Sequence, residues 1–512
     1  MPLPGKPPLV LFEDDHLLAI DKPAGINTHK PDRYAQDGIH EWLQKQHPDW
    51  RRLSILHRLD KETSGAMVFG KTPLANRSIT EQFTAGTLRK TYLFLTAGVP
   101  SQATTTITAP IEGKPARTVF RVRESRGALK LVEAEPSTGR THQVRIHAMQ
   151  AGLPVCGDRE HGAAACGFPR LMLHAWRLEL RHPKAGSPLR LEAPFSNVAF
   201  SCDDRFIEMT HSRAAFLCAR EVRELLFDPR TTDCYRLISP GADGLGDVAA
   251  DRFGGIVVVR CSPDRLSELE PLLSDFYERV VPVATRAPAI RMPNSGRASP
   301  SCLAQENGLR FLIRTDQGFS PGLFLDQREN RRRLREFAAG KEVLNCFAYT
   351  CAFSVAAAAG GGRTTSVDLS KSYLEWGREN FRVNGLDPAG HDFLYGDVFD
   401  WLKRFEKRGR QWDIVMLDPP TFGTTKKGRV FRAAKDYLEL ARLAARLVRT
   451  GGTLFCSTNQ RSISPESFVE TIQRALRMEK REWQAIHFET QPPDFRVAEG
   501  EQPYLKTFWI GL

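Results

Sequence analysis

The sequence predicts a multidomain fold in three parts. The first is an α+β part on a mixed, largely antiparallel sheet. A small α+β module follows, and then an α/β Rossmann-like part with helices on both faces of a parallel sheet. Three observations carry this. The chain has 512 residues, and at roughly 100–200 residues per domain that suggests about three domains. Up to about residue 200, short apolar runs are separated by turn residues. From about residue 306 the rhythm becomes strand, helix, strand.

The elements follow in order. LLAIDKP (17–23), AMVFGKT (66–72), KTYLFLTAGV (90–99), ARTVFRVRES (116–125) and LKLVEAEPSTG (129–139) are strand-like, apolar or alternating. SITEQFTAG (78–86) and THQVRIHAMQAG (141–152) read as short helices, each closed by a glycine. MTHSRAAFLCAREVRELLF (209–227) is a charged helix that opens a second module. CYRLISPGADGLGDVAADRFGGIVVVRC (234–261) sets glycine-rich turns between strands, and 282–305, rich in Pro, Ser and Arg, is the best linker candidate. Strands at 341–347, 364–370, 392–397, 412–420 and 451–458 then alternate with helices at 352–360, 372–385, around 398–409 and 436–448. The expected domains are 8–200, 210–300 and 305–512.

Composition bounds the function. No run of about 18 apolar residues occurs, so no membrane span is expected. MPLPGKPPLV lacks the charged start and apolar core of a signal peptide, so the expected compartment is the cytoplasm. Ten cysteines are scattered without CxxC spacing, which argues for buried free thiols rather than zinc or disulfides. A net charge of +12 favours a polyanionic partner. The basic run RENRRRLRE (328–336) reads as a solvated helix face, with RNA contact as the alternative. A monomer is the default.

Chemistry concentrates first in SILHRLDKETSG (54–65). Asp60 sits in a polar turn two residues after Arg58, with Arg140 and Arg145 downstream. On these residues alone a buried ion pair and a nucleophilic carboxylate both remain open. HRLDKETSG resembles the catalytic motif of the RluA-type pseudouridine synthases. DKPAG (21–25), KTYL (90–93), STGRTHQVRIH (137–147) and LHAWRLELRHP (173–183) resemble that family's other motifs, in the family's order, across about 8–195. The resemblance implies isomerisation of uridine to pseudouridine within RNA. Asp60 would be the nucleophile and Arg145 its charge partner, with Arg140 nearby. Tyr92 would stack on the base and assist proton removal from C5. Arg58 would fill the place of the uridine that leaves its stack. No cofactor or metal is implied. His142 and His147, five apart, could ligate a metal on paper, but the matched motif accounts for both. Relatives usually carry tyrosine at the His161 position of GDREHG (157–162), a departure expected to be tolerated.

The second concentration is NCFAYTCAFS (345–354), which follows a strand but lacks the GxGxxG of a dinucleotide turn. Asp368 ends the next strand, where it could hold a ribose diol; a helix N-cap is the alternative for any such aspartate. FSPGLFLDQRENRR (319–332), VLNCFAYTCAFSVAAAAGG (343–361), NFRVNGL (380–386), GDVFDWL (396–402) and LDPPTFG (417–423) resemble the class I methyltransferases of large-subunit ribosomal RNA, the RlmI and RlmKL group, over about 215–512. The resemblance implies S-adenosylmethionine as donor. Asp368 would take the ribose, and Asp397 and Val398 the adenine. Phe347, Tyr349 and Thr350 would line the methionine end, supported by Asp326 and Arg328. Asp418 and Phe422 would orient and stack the target base. The family usually has glycine where this chain has Cys351, so a thiol is expected to crowd the cofactor. The expectation is a bifunctional enzyme of large-subunit ribosomal RNA, with guanine N7 or N2 as the methyl acceptor. Three alternatives stand beside it: one active half with the other as an RNA-binding module, transfer RNA as substrate, and cytosine-C5 methylation through Cys456.

Overall fold

The computed structural model describes residues 7–100, 102–162, 168–194, 211–284, 301–315, 320–424 and 430–512. The chain divides into two compact units. One comprises Met1–Pro31, Asp37–Pro229 and Leu237–Ala249; the other comprises Asp32–Gln36, Arg230–Arg236 and Ala250–Leu512. The expected break near 200–210 therefore does not coincide with the division. Helix His211–Leu226 lies in the first unit, where buried Cys218 shares a core with Leu95, Cys156 and Met172. Arg223 and Asp243 form a fully buried ion pair in the same unit.

The first unit is built on one mixed sheet. Its spatial order is Val10–Glu13, Leu17–Lys22, Ser64–Gly70, Leu173–Arg181, Arg89–Thr96, Leu129–Pro136, Thr118–Arg126 and Thr104–Ile107. Pro188–Glu192 pairs with Leu173–Arg181, and Ser54–Ile55 with Ser64–Gly70. Neighbours are antiparallel except Ser64–Gly70 against Leu173–Arg181. Gly65 permits that pairing: its φ is +119° and a Cβ there would come within 2.3 Å of the Ala175 carbonyl. The helix expected at 78–86 spans Pro73–Thr84. It starts earlier because the Thr72 hydroxyl accepts the Ala75 N–H and Pro73 suits the first helical position.

Cys234–Ile238, Ala249–Phe253, Ile256–Cys261 and Arg279–Ala284 form a four-stranded sheet in that order, most of whose residues belong to the second unit. Ser301–Glu306 and Leu309–Arg314 make a hairpin whose turn, Asn307-Gly308, takes φ values of +49° and +78°. The expected linker at 282–305 is thus bounded by strands, and its central residues 285–300 lie outside the described residues. The main sheet runs Asp392–Tyr395, Arg363–Asp368, Glu342–Cys346, Trp412–Leu417, Val448–Thr458, Lys506–Gly511, Ala485–Glu489. Its first five strands are parallel, and Lys506–Gly511 runs antiparallel to both of its neighbours. Strand order reverses between Glu342–Cys346 and Trp412–Leu417, and the crevice at their carboxyl ends is where such sheets bind ligands. Apolar cores cover the sheet: Val343, Phe353, Ile414 and Trp509 belong to one, Val415, Leu440, Phe468 and Phe508 to another.

The multidomain fold with an α/β methyltransferase-like sheet is as the sequence predicts. The basic run 328–336 is not. Arg328 and Arg331 are buried on the helix Arg328–Phe337 and pair with Asp494 and Glu306, while Arg332 pairs with Glu329 and Glu336. Neither a solvated face nor an RNA contact describes these three arginines, because acids from distant segments neutralise Arg328 and Arg331, and acids of the same helix neutralise Arg332.

Candidate functional sites

In the first unit, a cleft of about 1240 Å3 is lined by Arg58, Asp60, Tyr92, Arg140, His142 and Arg145, among others. Asp60 follows a buried leucine in the turn before Ser64–Gly70, and its side chain is 31% exposed, so it can face a substrate. Arg145 comes from the first turn of helix Gln143–Gln150, with Nη1 3.8 Å from Asp60 Oδ2. Its Nε and Nη2 donate to the two carboxylate oxygens of buried Asp158 at 2.8 and 2.7 Å. This bidentate pair fixes the guanidinium plane. Burial works against the Arg145 charge, but Asp158, Asp60 and Glu160 outweigh it and hold the guanidinium above its ordinary value. His142 Nε2 lies 3.8 Å from Asp60 Oδ1.

Tyr92 lies in Arg89–Thr96. Burial and the charge of Asp60 push its phenol above the ordinary value, so it is neutral at physiological pH and can donate but not act as a phenolate. Arg58 is exposed at the cleft, free to reach a nucleic acid. Arg140 lines the same cleft but directs Nε to the Pro115 carbonyl at 3.2 Å. His57 is not a base here: burial, with Lys90 beside it, lowers its imidazole to about 3, and Nε2 accepts the Val68 N–H at 3.1 Å. His147 is also committed, with one ring nitrogen 2.9 Å from Thr118 Oγ1 and the other 2.9 Å from the Ala109 carbonyl. The pairing of His142 with His147 at a metal is therefore not available. Asp158, which orients Arg145, was missed, since nothing in GDREHG marks one acid over its neighbours.

In the second unit, the turn after Glu342–Cys346 replaces glycines with side chains in left-handed backbone: Phe347, Tyr349 and Cys351 have φ values of +62°, +49° and +60°. Each such residue costs about 1–2 kcal/mol, so the turn must be held from outside. The Asp368 carboxylate accepts the Tyr349 N–H at 2.8 Å and the Ser370 N–H at 2.8 Å. The Tyr349 hydroxyl donates to the Ser320 carbonyl at 2.7 Å, and the Thr350 hydroxyl to the Gly322 carbonyl at 2.6 Å. Thr350 is fully buried, so its side chain fastens the turn rather than lining a pocket. Asp368 does not cap the following helix; Ser370 does. Burial raises the Asp368 carboxyl despite its two N–H donors.

The crowding expected of Cys351 does not occur. The side chain is fully buried and lies against Gly377: a Cβ on Gly377 would stand 2.4 Å from the Cys351 sulfur. The thiol thus fills a hollow against helix Lys371–Val383, among Leu323, Leu325, Ala348 and Val355. Asp397 caps helix Val398–Lys407 through the Asp400 N–H at 3.2 Å, and the Val398 side chain is buried in the core with Leu402 and Phe399. The buried Arg328 guanidinium pairs with Asp494 and lies beside Glu329, and Asp326 accepts the Tyr504 hydroxyl at 2.9 Å. Arg328 is a structural support and does not reach the crevice.

Asp418 follows the end of Trp412–Leu417, and burial raises its carboxyl to about 6 despite hydrogen bonding. Gln327 donates to Asp418 Oδ1 at 3.1 Å and to the Ser457 hydroxyl at 2.9 Å, and its own carbonyl accepts from Asn330 at 2.7 Å. Gln327 is a bridge that sequence reasoning missed, although it stands in the matched DQRENRR string. Phe422 opens the strand Phe422–Thr424; the stacking expected of its side chain falls outside the described residues. Cys456 is fully buried, and burial pushes its thiol up to about 12. Among the described residues, no helix is long and apolar enough to cross a membrane.

Comparison with known proteins agrees with this geometry. Residues 16–150 match the RNA pseudouridylate synthase family model, and residues 294–500 match the S-adenosylmethionine-dependent methyltransferase model. A ribosomal RNA large subunit methyltransferase of Deinococcus radiodurans is 32% identical over 64% of this chain and 84% of its own length. The chain belongs to the ribosomal RNA large subunit methyltransferases. Ribosomal RNA large subunit methyltransferase I of Klebsiella pneumoniae is 33% identical over 55% of this family member and 72% of its own length. A solved candidate methyltransferase complexed with SAH is 27% identical, with a TM-score of 0.54 over 65% of this chain and 88% of that one. This member of the family carries an RNA pseudouridine synthase ahead of its S-adenosylmethionine-dependent methyltransferase, and both halves are enzymes.

Proposed function

We propose that the protein modifies large-subunit ribosomal RNA twice, isomerising one uridine and methylating one guanine. In the first reaction Asp60 is the nucleophile. The observation that carries this is the convergence on one cleft of a half-exposed carboxylate, an arginine locked 3.8 Å from it, and a neutral, half-buried tyrosine. Arg145 sets its guanidinium beside the attacking carboxylate, Nη1 3.8 Å from Asp60 Oδ2. Tyr92 provides a flat face for the base and a hydroxyl near C5. Exposed Arg58 enters the stack that the uridine leaves, and Arg140 contacts the RNA backbone. We assign residues 8–200 to this activity, 210–300 to RNA docking and 305–512 to methyl transfer.

In the second reaction the residues suit S-adenosylmethionine. The Asp368 carboxylate, steadied by two backbone N–H groups at a strand's carboxyl end, fits a ribose diol. Phe347 and Tyr349 present side chains beside it, Asp397 and the Val398 backbone take the adenine edge, and Asp326 and Arg328 brace the wall. The bound donor supplies an electrophilic methyl group. Asp418, aimed by Gln327, accepts a base N–H and holds the ring while Phe422 stacks on it. A guanine nitrogen carries its own lone pair and needs no covalent help, with N7 favoured over N2. Cytosine C5 needs a thiolate, and Cys456 is buried and protonated at neutral pH.

The test uses purified full-length protein, large-subunit ribosomal RNA lacking its modifications, and S-adenosylmethionine. Wild type is expected to form one pseudouridine and one methylguanine. Asp60→Ala should lose only the first and Asp418→Ala only the second, while Cys456→Ala keeps both. Formation of 5-methylcytosine, or its loss in Cys456→Ala, would refute the guanine assignment.

A further inference from the structure

A second cluster stands at the edge of the synthase cleft, formed by His142, Glu160 and His161. His142 Nδ1 lies 2.9 Å from His161 Nε2 and 3.3 Å from Glu160 Oε1, and His161 Nε2 lies 3.4 Å from the same oxygen. Zinc–ligand bonds of about 2.0–2.1 Å in a tetrahedron separate ligand atoms by about 3.3 Å. The three donor atoms therefore already outline one face of a zinc tetrahedron, and they are two imidazole nitrogens and a carboxylate oxygen, a donor set that zinc accepts.

The surroundings hold this arrangement. Asp158 Oδ1 accepts the backbone N–H groups of Glu160 and His161 at 3.1 and 3.0 Å, fixing the loop that carries both ligands. Arg145 Nη2 donates to Glu160 Oε2 at 3.1 Å, which leaves Oε1 turned to the imidazoles. His142 is held at φ +53°, just before helix Gln143–Gln150. Such outer partners orient ligands at metal sites. Asp60, Asp158 and Glu160 all lie against the Arg145 guanidinium, which ties the cluster to the synthase carboxylate.

We propose that His142, Glu160 and His161 bind a divalent transition-metal ion of the zinc class, and that its binding silences pseudouridine formation. Coordination through His142 Nδ1 requires that nitrogen to be unprotonated, which leaves the proton on Nε2, 3.8 Å from Asp60 Oδ1. A metal-bound imidazole carries part of the ion's positive charge, so it draws on the carboxylate that must attack, 3.8 Å away. The silencing rests on Asp60 being the nucleophile; the binding does not.

Zinc alone is the probe, titrated into metal-stripped full-length protein in competition with a chromophoric chelator, for wild type and His161→Ala. Pseudouridine formation is then followed with zinc and with excess chelator. Wild type should bind one zinc equivalent that His161→Ala loses or weakens at least tenfold. Saturating zinc should slow wild-type pseudouridine formation at least tenfold, reversibly by chelator, and leave His161→Ala unaffected. Matching thermal unfolding of the two proteins shows that the variant is folded, and Glu160→Gln provides a second variant for binding. Equal zinc binding by wild type and both variants would overturn the site, and a zinc-insensitive wild-type rate would overturn the silencing. Chelated wild type that makes no pseudouridine would refute the synthase reading itself, while the binding titration still decides the site.

Discussion

At the scale of single residues, the synthase cleft sets a carboxylate, Asp60, beside an arginine that Asp158 keeps in place. Asp60→Asn should fold like wild type, bind RNA and lose pseudouridine formation by on the order of 10³-fold or more; retention of more than a tenth of the rate would remove Asp60 as nucleophile. Asp158→Ala should be worse for the fold. It leaves a buried guanidinium half-paired, at a cost of about 3–5 kcal/mol, read as a lower unfolding midpoint. The sign with pH follows from the pair. Burial raises the Asp158 carboxyl, but Arg145 and two backbone N–H groups outweigh it, so its folded value lies below the ordinary one. Its stabilisation is complete above the unfolded value and is lost as pH falls through the lowered one. Asp418 behaves oppositely. Its carboxyl is raised to about 6, so methyl transfer that needs the carboxylate should fall as pH drops below about 6, while Asp418→Asn should be slower by on the order of 100-fold and flat across that range. The string HRLDKETSG drew attention to Asp60, and the THQVR string to Arg145. Asp158 was not legible, because its role comes from a loop folding back 13 residues later onto the arginine fork.

At the scale of elements, the methyltransferase turn shows what pattern reading can and cannot reach. Alternating strands and helices made the parallel sheet visible, because periodicity reports which faces are buried. The turn was opaque, since three side-chain residues occupy backbone that glycine normally supplies, and tertiary contacts hold them there. Gly377 is the hidden partner of Cys351: absence of a side chain on one helix makes room for a thiol on the neighbouring turn. Gly377→Ala should therefore destabilise by about 1–3 kcal/mol through overpacking. Adding Cys351→Gly should recover most of that, by removing both the clash and the left-handed strain. A double-mutant cycle by denaturant unfolding checks this, and additive effects would dissociate the two positions. Helix Arg328–Phe337 teaches the same lesson for charge. A run of arginines looks solvated in one dimension, yet Glu306 and Asp494 arrive from either side in sequence to neutralise two of them.

At the scale of the whole molecule, one chain carries two active sites of unrelated chemistry. One is an RNA pseudouridine synthase and the other an S-adenosylmethionine-dependent methyltransferase. The +12 net charge suits both, since each must hold a polyanion. The two-part nature was legible because each half keeps its own rhythm of elements and its own motifs. The division into compact units was less so, since helix His211–Leu226 shares a core with the first unit through Cys218. The central claim is that both sites act on ribosomal RNA of the large subunit. The most direct measurement compares that RNA from cells with and without the protein, by mass spectrometry of nuclease fragments that reports pseudouridines and methylated bases together. Loss of one pseudouridine and one methylguanine is the result expected. Unchanged large-subunit RNA, or loss of a methylcytosine in place of a methylguanine, would contradict it.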